Sequence, residues 1–267
     1  MSKRLNDLIM EKSARGEKQL SIFITAGYPE IDSTKEIIFT LDEAGVDFIE
    51  LGIPFSDPIA DGPIIQKTSD LAIQNGVNIG KILNMMSDIR KVSQIPIILM
   101  GYLNPINKMG IETFIKKASE SSVDAIIVPD WAAEENQKYR DLLKSNNLDM
   151  IHLIAPNTPM DRVKFIDQIS TSFIYCVAYT GVTGQNRKPT KQTLGFLKAT
   201  REQLHHPLMI GFGIKNSEDY QTYTGISDGV IIGSAFSQLL EKTDRVNRKK
   251  MIMTFIKSIR EMKRLNK

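Results

Sequence analysis

Glu50 and Asp61 are the residues of this 267-residue chain whose type and setting could do proton chemistry. Glu50 lies between Ile49 and Leu51 near the end of an apolar run, Val46 to Leu51, and the chain continues Gly52-Ile53-Pro54-Phe55-Ser56-Asp57-Pro58-Ile59-Ala60-Asp61-Gly62-Pro63. A carboxylate in such a run loses water. Desolvation raises its pKa toward the range where a group can both give and take a proton near neutrality. The other use is structural, a strand-end Glu paired with a Lys or a helix; because an unpaired buried charge is costly, the setting weighs toward chemistry. Pro54, Pro58 and Pro63 with Gly52 and Gly62 stiffen the following segment in pieces and hold Asp57 and Asp61 at chosen places. Either Asp could instead cap the helix after Gly62. Asp61 suits that use poorly, because Gly62 intervenes and Pro63 fits the first helical position.

A second cluster is made of glycines. Gly211-Phe212-Gly213-Ile214 and Ile232-Gly233-Ser234-Ala235 each follow a short apolar run, and the second opens a helix. Glycine lets backbone N–H groups approach an anion, and a helix N-terminus adds a favourable dipole. Each alone could be a tight turn that needs glycine only for conformation; together they point to phosphate. Between the two clusters runs Tyr175-Cys176-Val177-Ala178-Tyr179-Thr180-Gly181-Val182-Thr183-Gly184-Gln185-Asn186-Arg187, hydroxyl-rich and hinged by glycine, which suits either a lid or a plain flexible loop.

Other reactive side chains offer little. His205 and His206 precede Pro207 and read as surface, His152 lies inside an apolar run, and no spacing suggests a metal site or a nucleophile–histidine pair. Cys176 is the single cysteine, so an internal disulfide and a thiol cluster for zinc are excluded. Trp131, after Val128-Pro129-Asp130, is either a partner anchor or a cap on the fold.

What must position these residues is an alternation of β-branched apolar runs with longer segments of helical period, the pattern of parallel strands joined by crossover helices. Eight runs can be counted: Leu20 to Thr25, Val46 to Leu51, Ile95 to Met100, Val123 to Val128, Met150 to Ile154, Phe173 to Val177, Leu208 to Gly211 and Gly229 to Ile232. Between them, Ile37, Ile38, Leu41 and Ala44, or Ile79, Ile82, Leu83, Met86 and Ile89, share a helix face. The runs are nearly continuous in apolar residues, as strands covered on both faces are. No Gly-x-Gly-x-x-Gly follows Thr25, so the expected fold is α/β, a (β/α)8 TIM barrel with additional N- and C-terminal helices, forming a single domain over 1–267. In that fold function belongs to the loops after the strands, where both clusters fall.

The whole chain sets limits. A hydrophobic share of 42% and a charged share of 24% are those of a soluble globular protein. The net charge is +3, and much of the basic excess lies after Asp244 on a segment where Ile252, Phe255, Ile256, Ile259 and Met262 recur at helical spacing; a terminal amphipathic helix is expected and nucleic-acid binding is not. Met1 to Lys18 lack an apolar signal core, and Ile95 to Leu103, broken by Pro96 and Gly101, is about half the ~20 residues of a membrane span. A cytoplasmic location is expected.

The windows resemble the tryptophan synthase alpha chain family. The resemblance covers essentially the whole chain and rests on Glu50-Leu51-Gly52-Ile53-Pro54-Phe55-Ser56-Asp57-Pro58, Ala60-Asp61-Gly62-Pro63, Gly101-Tyr102-Leu103-Asn104-Pro105, Gly181-Val182-Thr183-Gly184 and Phe23-Ile24-Thr25-Ala26-Gly27-Tyr28-Pro29, in the family's order. It implies a lyase that splits indole-3-glycerol phosphate into indole and glyceraldehyde 3-phosphate. Glu50 matches the family's general acid/base, Asp61 the carboxylate that holds the indole N–H, and Tyr175 a position close to the acid/base. Gly184, Gly213, Gly233 and Ser234 fall at its phosphate contacts, with Thr183 as a further substrate-binding position. Phe23, Tyr102, Leu153, Phe212 and Ile232 resemble the apolar lining for the indole. The resemblance further implies no metal and no cofactor in this chain, and a beta-chain partner that carries pyridoxal phosphate in an αββα heterotetramer. Trp131-Ala132-Ala133, Ala178 and Asp70 depart from the family's usual residues, the first bearing on partner contacts and the second on the lid. Two rivals stand beside this expectation: a phosphate-binding isomerase or epimerase barrel with a different acid/base pair, and a catalytically silent subunit, against which the intact Glu50 and Asp61 argue.

Overall fold

The structure, a computed structural model, describes residues 2–177, 189–211 and 213–261. The strands are β1 (Gln19–Thr25), β2 (Phe48–Gly52), β3 (Ile97–Met100), β4 (Ala125–Ile127), β5 (Asp149–Ile154), β6 (Ile174–Val177), β7 (Leu208–Gly211) and β8 (Gly229–Ile232). They pair in parallel, in chain order, and β8 closes on β1, so the expected (β/α)8 barrel is the observed fold.

Three strands begin two residues later than the apolar runs suggest, at Phe48, Ile97 and Ala125 instead of Val46, Ile95 and Val123, and β6 begins one later, at Ile174. Side chains explain it. Asp47 accepts the Leu20 N–H at 2.7 Å and Asp124 accepts the Ile97 N–H at 2.8 Å, so carboxylates take amides at the strand starts, and Pro96 has no N–H to offer.

Register fixes which side chains enter the barrel. Phe23, Glu50, Ile98 and Ala125 are lateral partners on successive strands and so share one face. That face is the interior, where Phe23, Phe48, Ile98, Ile151, Tyr175 and Met209 pack together. The helix Lys3–Ala14, capped by the Ser2 hydroxyl, plugs the end below the strand N-termini with Leu5, Leu8 and Ile9.

The opposite face packs against the helices. Helix Ser33–Glu43 buries Ile37, Ile38 and Leu41, helix Ile79–Arg90 buries the five residues read as one face, and helix Arg248–Arg260 buries Ile252, Ile256 and Ile259. Burial of each such side chain stabilises by roughly 1.5–3 kcal/mol. Met262 lies outside the described residues. Among those described, no helix is long and apolar enough to cross a membrane.

Candidate active site

Glu50 sits on β2 with its side chain inside the barrel and no exposure to solvent. Neither carboxylate oxygen has a hydrogen-bond partner among the described residues. Burial alone pushes its pKa up to about 8, so at neutral pH the group is mainly protonated. The desolvation expected from the apolar run is thus complete.

Asp61 follows eight residues of loop, Ile53 to Ala60, and is only half-buried. It is not a helix cap: Gly62 holds the N-cap of helix Pro63–Gln74, Pro63 occupies the first turn, and no side chain caps that end. The carboxylate is left to face the mouth. Burial raises its pKa to about 6, against the pull of the Tyr102 hydroxyl, which favours the charged form. Near pH 7 the two acids therefore differ in state, Glu50 carrying a proton and Asp61 a charge. Separated titrations of this kind are how one site obtains a proton donor and a fixed anion from the same functional group.

Tyr102 begins the turn into helix Leu103–Met109 and is buried. Its hydroxyl oxygen accepts the Ala60 N–H at 3.1 Å, and its ring stacks on Phe55 at a centroid separation of 5.3 Å. One tyrosine so ties the β2 loop to the end of β3. Phe55 and the Ala60 amide went unnoticed in the sequence, since only the fold brings them to Tyr102. Thr25, Ser69, Met100 and Pro129 were also missed; with Phe23, Asp61 and Tyr102 they line a small cavity at the mouth. Alternation along β1 and β3 is the signal that could have found Thr25 and Met100.

Tyr175, on β6, is buried in the interior, and its hydroxyl is driven well above the ordinary range by burial first and then by the charges of Glu50 and Asp61. Two glycines make room for the aromatic rings. A Cβ on Gly211 would lie 2.0 Å from the Tyr175 hydroxyl, and one on Gly52 would lie 2.5 Å from the Phe23 ring. Phe23 also touches the other cluster, since a Cβ on Gly233 would meet its Cβ at 3.4 Å. Phe23 therefore lies between the end of β2 and the turn after β8.

Gly213 adopts φ +84°, a backbone conformation that favours glycine, and Gly233 precedes Ser234 at the start of helix Ser234–Glu241, an end with no side-chain cap. The first amides of that helix have no intrahelical acceptor and suit an anion. Leu153 lies on the interior face beside Phe23 and Val177. Ile232 departs from its expected place: it pairs in register with Ile22 and packs in the outer, helix-facing layer, so its side chain does not wall the interior. The slip arises from strand parity, because Ile231 takes the inward position. Thr183, Gly184, Phe212 and Ala178 lie outside the described residues. Trp131 is buried and packs on Tyr139 at 5.5 Å, the capping alternative. His205 and His206 both lean on Asp167, at 2.8 and 3.0 Å.

A closed parallel barrel with a protonated acid below its mouth and an ionised one at its rim is a (β/α)8-barrel enzyme suited to proton transfer. Comparison with known proteins narrows this. Residues 9–267 match the family model described as tryptophan synthase alpha chain. A curated tryptophan synthase alpha chain from Christiangramia forsetii is 40% identical over 256 residues, covering 95% of this chain and 98% of the relative. The crystal structure of tryptophan synthase subunit alpha from Legionella pneumophila superposes with a TM-score of 0.85 at 33% identity over 97% of both chains. A chain from the tryptophan synthase a2b2 complex of Pyrococcus furiosus gives 0.84 at 32% identity, over 90% of this chain and 97% of that one. The chain belongs to the tryptophan synthase alpha chain family. It is a lyase of tryptophan biosynthesis that cleaves indole-3-glycerol phosphate to indole and glyceraldehyde 3-phosphate.

Proposed function

We propose that Glu50 is the general acid/base of this cleavage and Asp61 the anion that faces the indole nitrogen. The reaction breaks the bond between indole C3 and the adjacent glycerol carbon. A proton must reach C3, making the ring an indolenine with positive nitrogen; a proton must leave the hydroxyl on the adjacent carbon; the electrons of the C–C bond then restore the indole as the aldehyde forms. Glu50, protonated and dry, delivers the first proton and recovers the second. Asp61, already charged, stabilises the cationic ring without accepting the proton. Tyr175 orients Glu50. Phe23, Tyr102 and Leu153, with Phe212, wall the flat ring, and Thr183, Gly184, Gly213, Gly233 and Ser234 hold the phosphate, bringing the backbone amides and the helix dipole to it.

The observation that carries this reading is the solvent-free Glu50 carboxyl, without a hydrogen-bond partner among the described residues and with its pKa pushed up to about 8. Glu50→Gln keeps shape and burial but cannot exchange a proton. It should lower indole release from indole-3-glycerol phosphate by roughly 10²-fold or more while substrate affinity stays near wild type. Turnover like wild type in that variant would return Glu50 to a structural role.

On the same reading residues 1–267 work as one catalytic domain in the cytoplasm, with no metal or cofactor of their own. The partner is a beta chain carrying pyridoxal phosphate in an αββα heterotetramer. The assembly named for the Pyrococcus furiosus relative supports this, and co-purification with a beta chain followed by mass measurement tests it.

A further inference from the structure

The outer face of the barrel wall is apolar at nearly every strand position that meets the helices. Leu20, Ile22 and Ile24 on β1, Ile49 and Leu51 on β2, and Ile97 and Leu99 on β3 all join the layer beneath the helices. So do Ile126, Met150, Ile154, Ile174, Cys176, Leu208, Ile210, Val230 and Ile232 on the remaining strands. His152, between Met150 and Ile154 on β5, is the exception among the described residues. It is 7% exposed and makes no hydrogen bond to another described residue.

The cover above it is incomplete. Between β4 and β5 the helical layer is broken into three short pieces, Ala133–Asn136, a 3-10 turn Gln137–Tyr139, and Arg140–Ser145. Two cavities, each of about 120 Å³, remain under these pieces, and they share Asn136, Met150 and His152 in their walls. Trp131 and Ile166 line one, and Leu143, Leu148 and Ile169 line the other. Space of this order accepts a single aromatic ring. Arg140 and Lys144 also line the second cavity, and neither is paired with a carboxylate among the described residues.

We propose that the second of these cavities, on the outer face of β5 and sharing no residue with the mouth, is a binding site for a small aromatic carboxylate that carries a hydrogen-bonding group at its far end. The carboxylate meets Arg140 and Lys144 at the opening. The ring lies against Leu143, Leu148 and Met150. The far polar group reaches the Asn136 amide and the His152 imidazole, which burial keeps neutral, so that the ring nitrogens offer one donor and one acceptor. Nothing in the cleavage reaction uses these residues. The inference stands independently of the roles given to Glu50 and Asp61.

The test is titration of the full chain with 4-hydroxyphenylacetate, followed by NMR. Trp131 is the only tryptophan, so its indole N–H resonance is unique and reports on the crevice. The site predicts saturable shifts of the Trp131 indole and the His152 ring. His152→Leu, which restores the apolar pattern of the wall, should weaken binding roughly tenfold, the loss of about one hydrogen bond. Arg140→Glu, on an exposed position, should weaken it at least as much. Thermal unfolding of both variants, with midpoints held at or above wild type, separates lost binding from lost folding. The proposal is overturned if neither resonance moves up to millimolar ligand, or if saturable shifts survive unchanged in both variants.

Discussion

Two carboxylates of one chemical kind come to differ because each is desolvated to a different depth. Glu50 has no solvent and, among the described residues, no hydrogen-bond partner, whereas Asp61 keeps some exposure and the Tyr102 hydroxyl. With the acid required protonated and the anion required ionised, kcat/KM for indole-3-glycerol phosphate should be bell-shaped. It should fall as pH drops through about 6, where Asp61 gains a proton, and fall again as pH rises through about 8, where Glu50 loses one. A pH series checks both limbs, and Asp61→Asn should erase the acid one. That Glu50 lies in a buried strand and that Asp61 caps no helix was legible in the sequence, since both are local facts. The depth of burial was not, because it depends on Phe23, Ile98 and Tyr175 arriving from three other strands.

At the scale of elements, strands are held at both ends by devices of different kinds. At their C-terminal ends glycines clear space for rings. Gly211→Ala would drive a Cβ into the buried Tyr175 phenol, with an overpacking cost of roughly 1–3 kcal/mol. Tyr175 would be displaced from beside Glu50, so denaturant unfolding should show the lost stability and steady-state assays a lower kcat. At the N-terminal ends, aspartates gather backbone and side-chain donors. Asp124 takes the Ile97 N–H at 2.8 Å, the Ser2 hydroxyl at 2.7 Å, Arg4 at 2.8 Å and Arg90 at 2.9 Å while 2% exposed. Asp124→Ala removes the carboxylate partner of the partly buried Arg90 and leaves the Ile97 N–H without its acceptor, and should cost about 1–3 kcal/mol in chemical denaturation, with the pH profile of the remaining folded enzyme unchanged. Strand existence and order were readable from the apolar runs. Their starts were not, because an Asp that replaces a rung of the ladder looks in sequence like any polar residue before a strand. The misplacement of Ile232 has the same origin: one residue of register decides inside from outside, and the Gly229–Ile232 run is apolar at both parities.

For the molecule as a whole, closure of the barrel does what no segment does alone. Residues 50 and 233 are far apart in sequence, yet β2 and β8 both flank β1, and Phe23 packs close to Gly52 at the end of one and Gly233 just after the other. The helix Lys3–Ala14 seals the opposite end with Leu5 and Ile9, which keeps water from reaching Glu50 from below. Family membership was legible from motif order across the chain. The broken helical cover over β5 was not, since its three pieces are each too short for a helical period to show. What everything rests on is a carboxylic acid held neutral inside a dry barrel. Difference infrared spectroscopy of the free protein, wild type minus Glu50→Gln, isolates the C=O stretch of that one group. Its protonated band should persist at pH 7 and disappear with a midpoint near pH 8. A band already lost by pH 5 to 6, the ordinary carboxylate range, would contradict it.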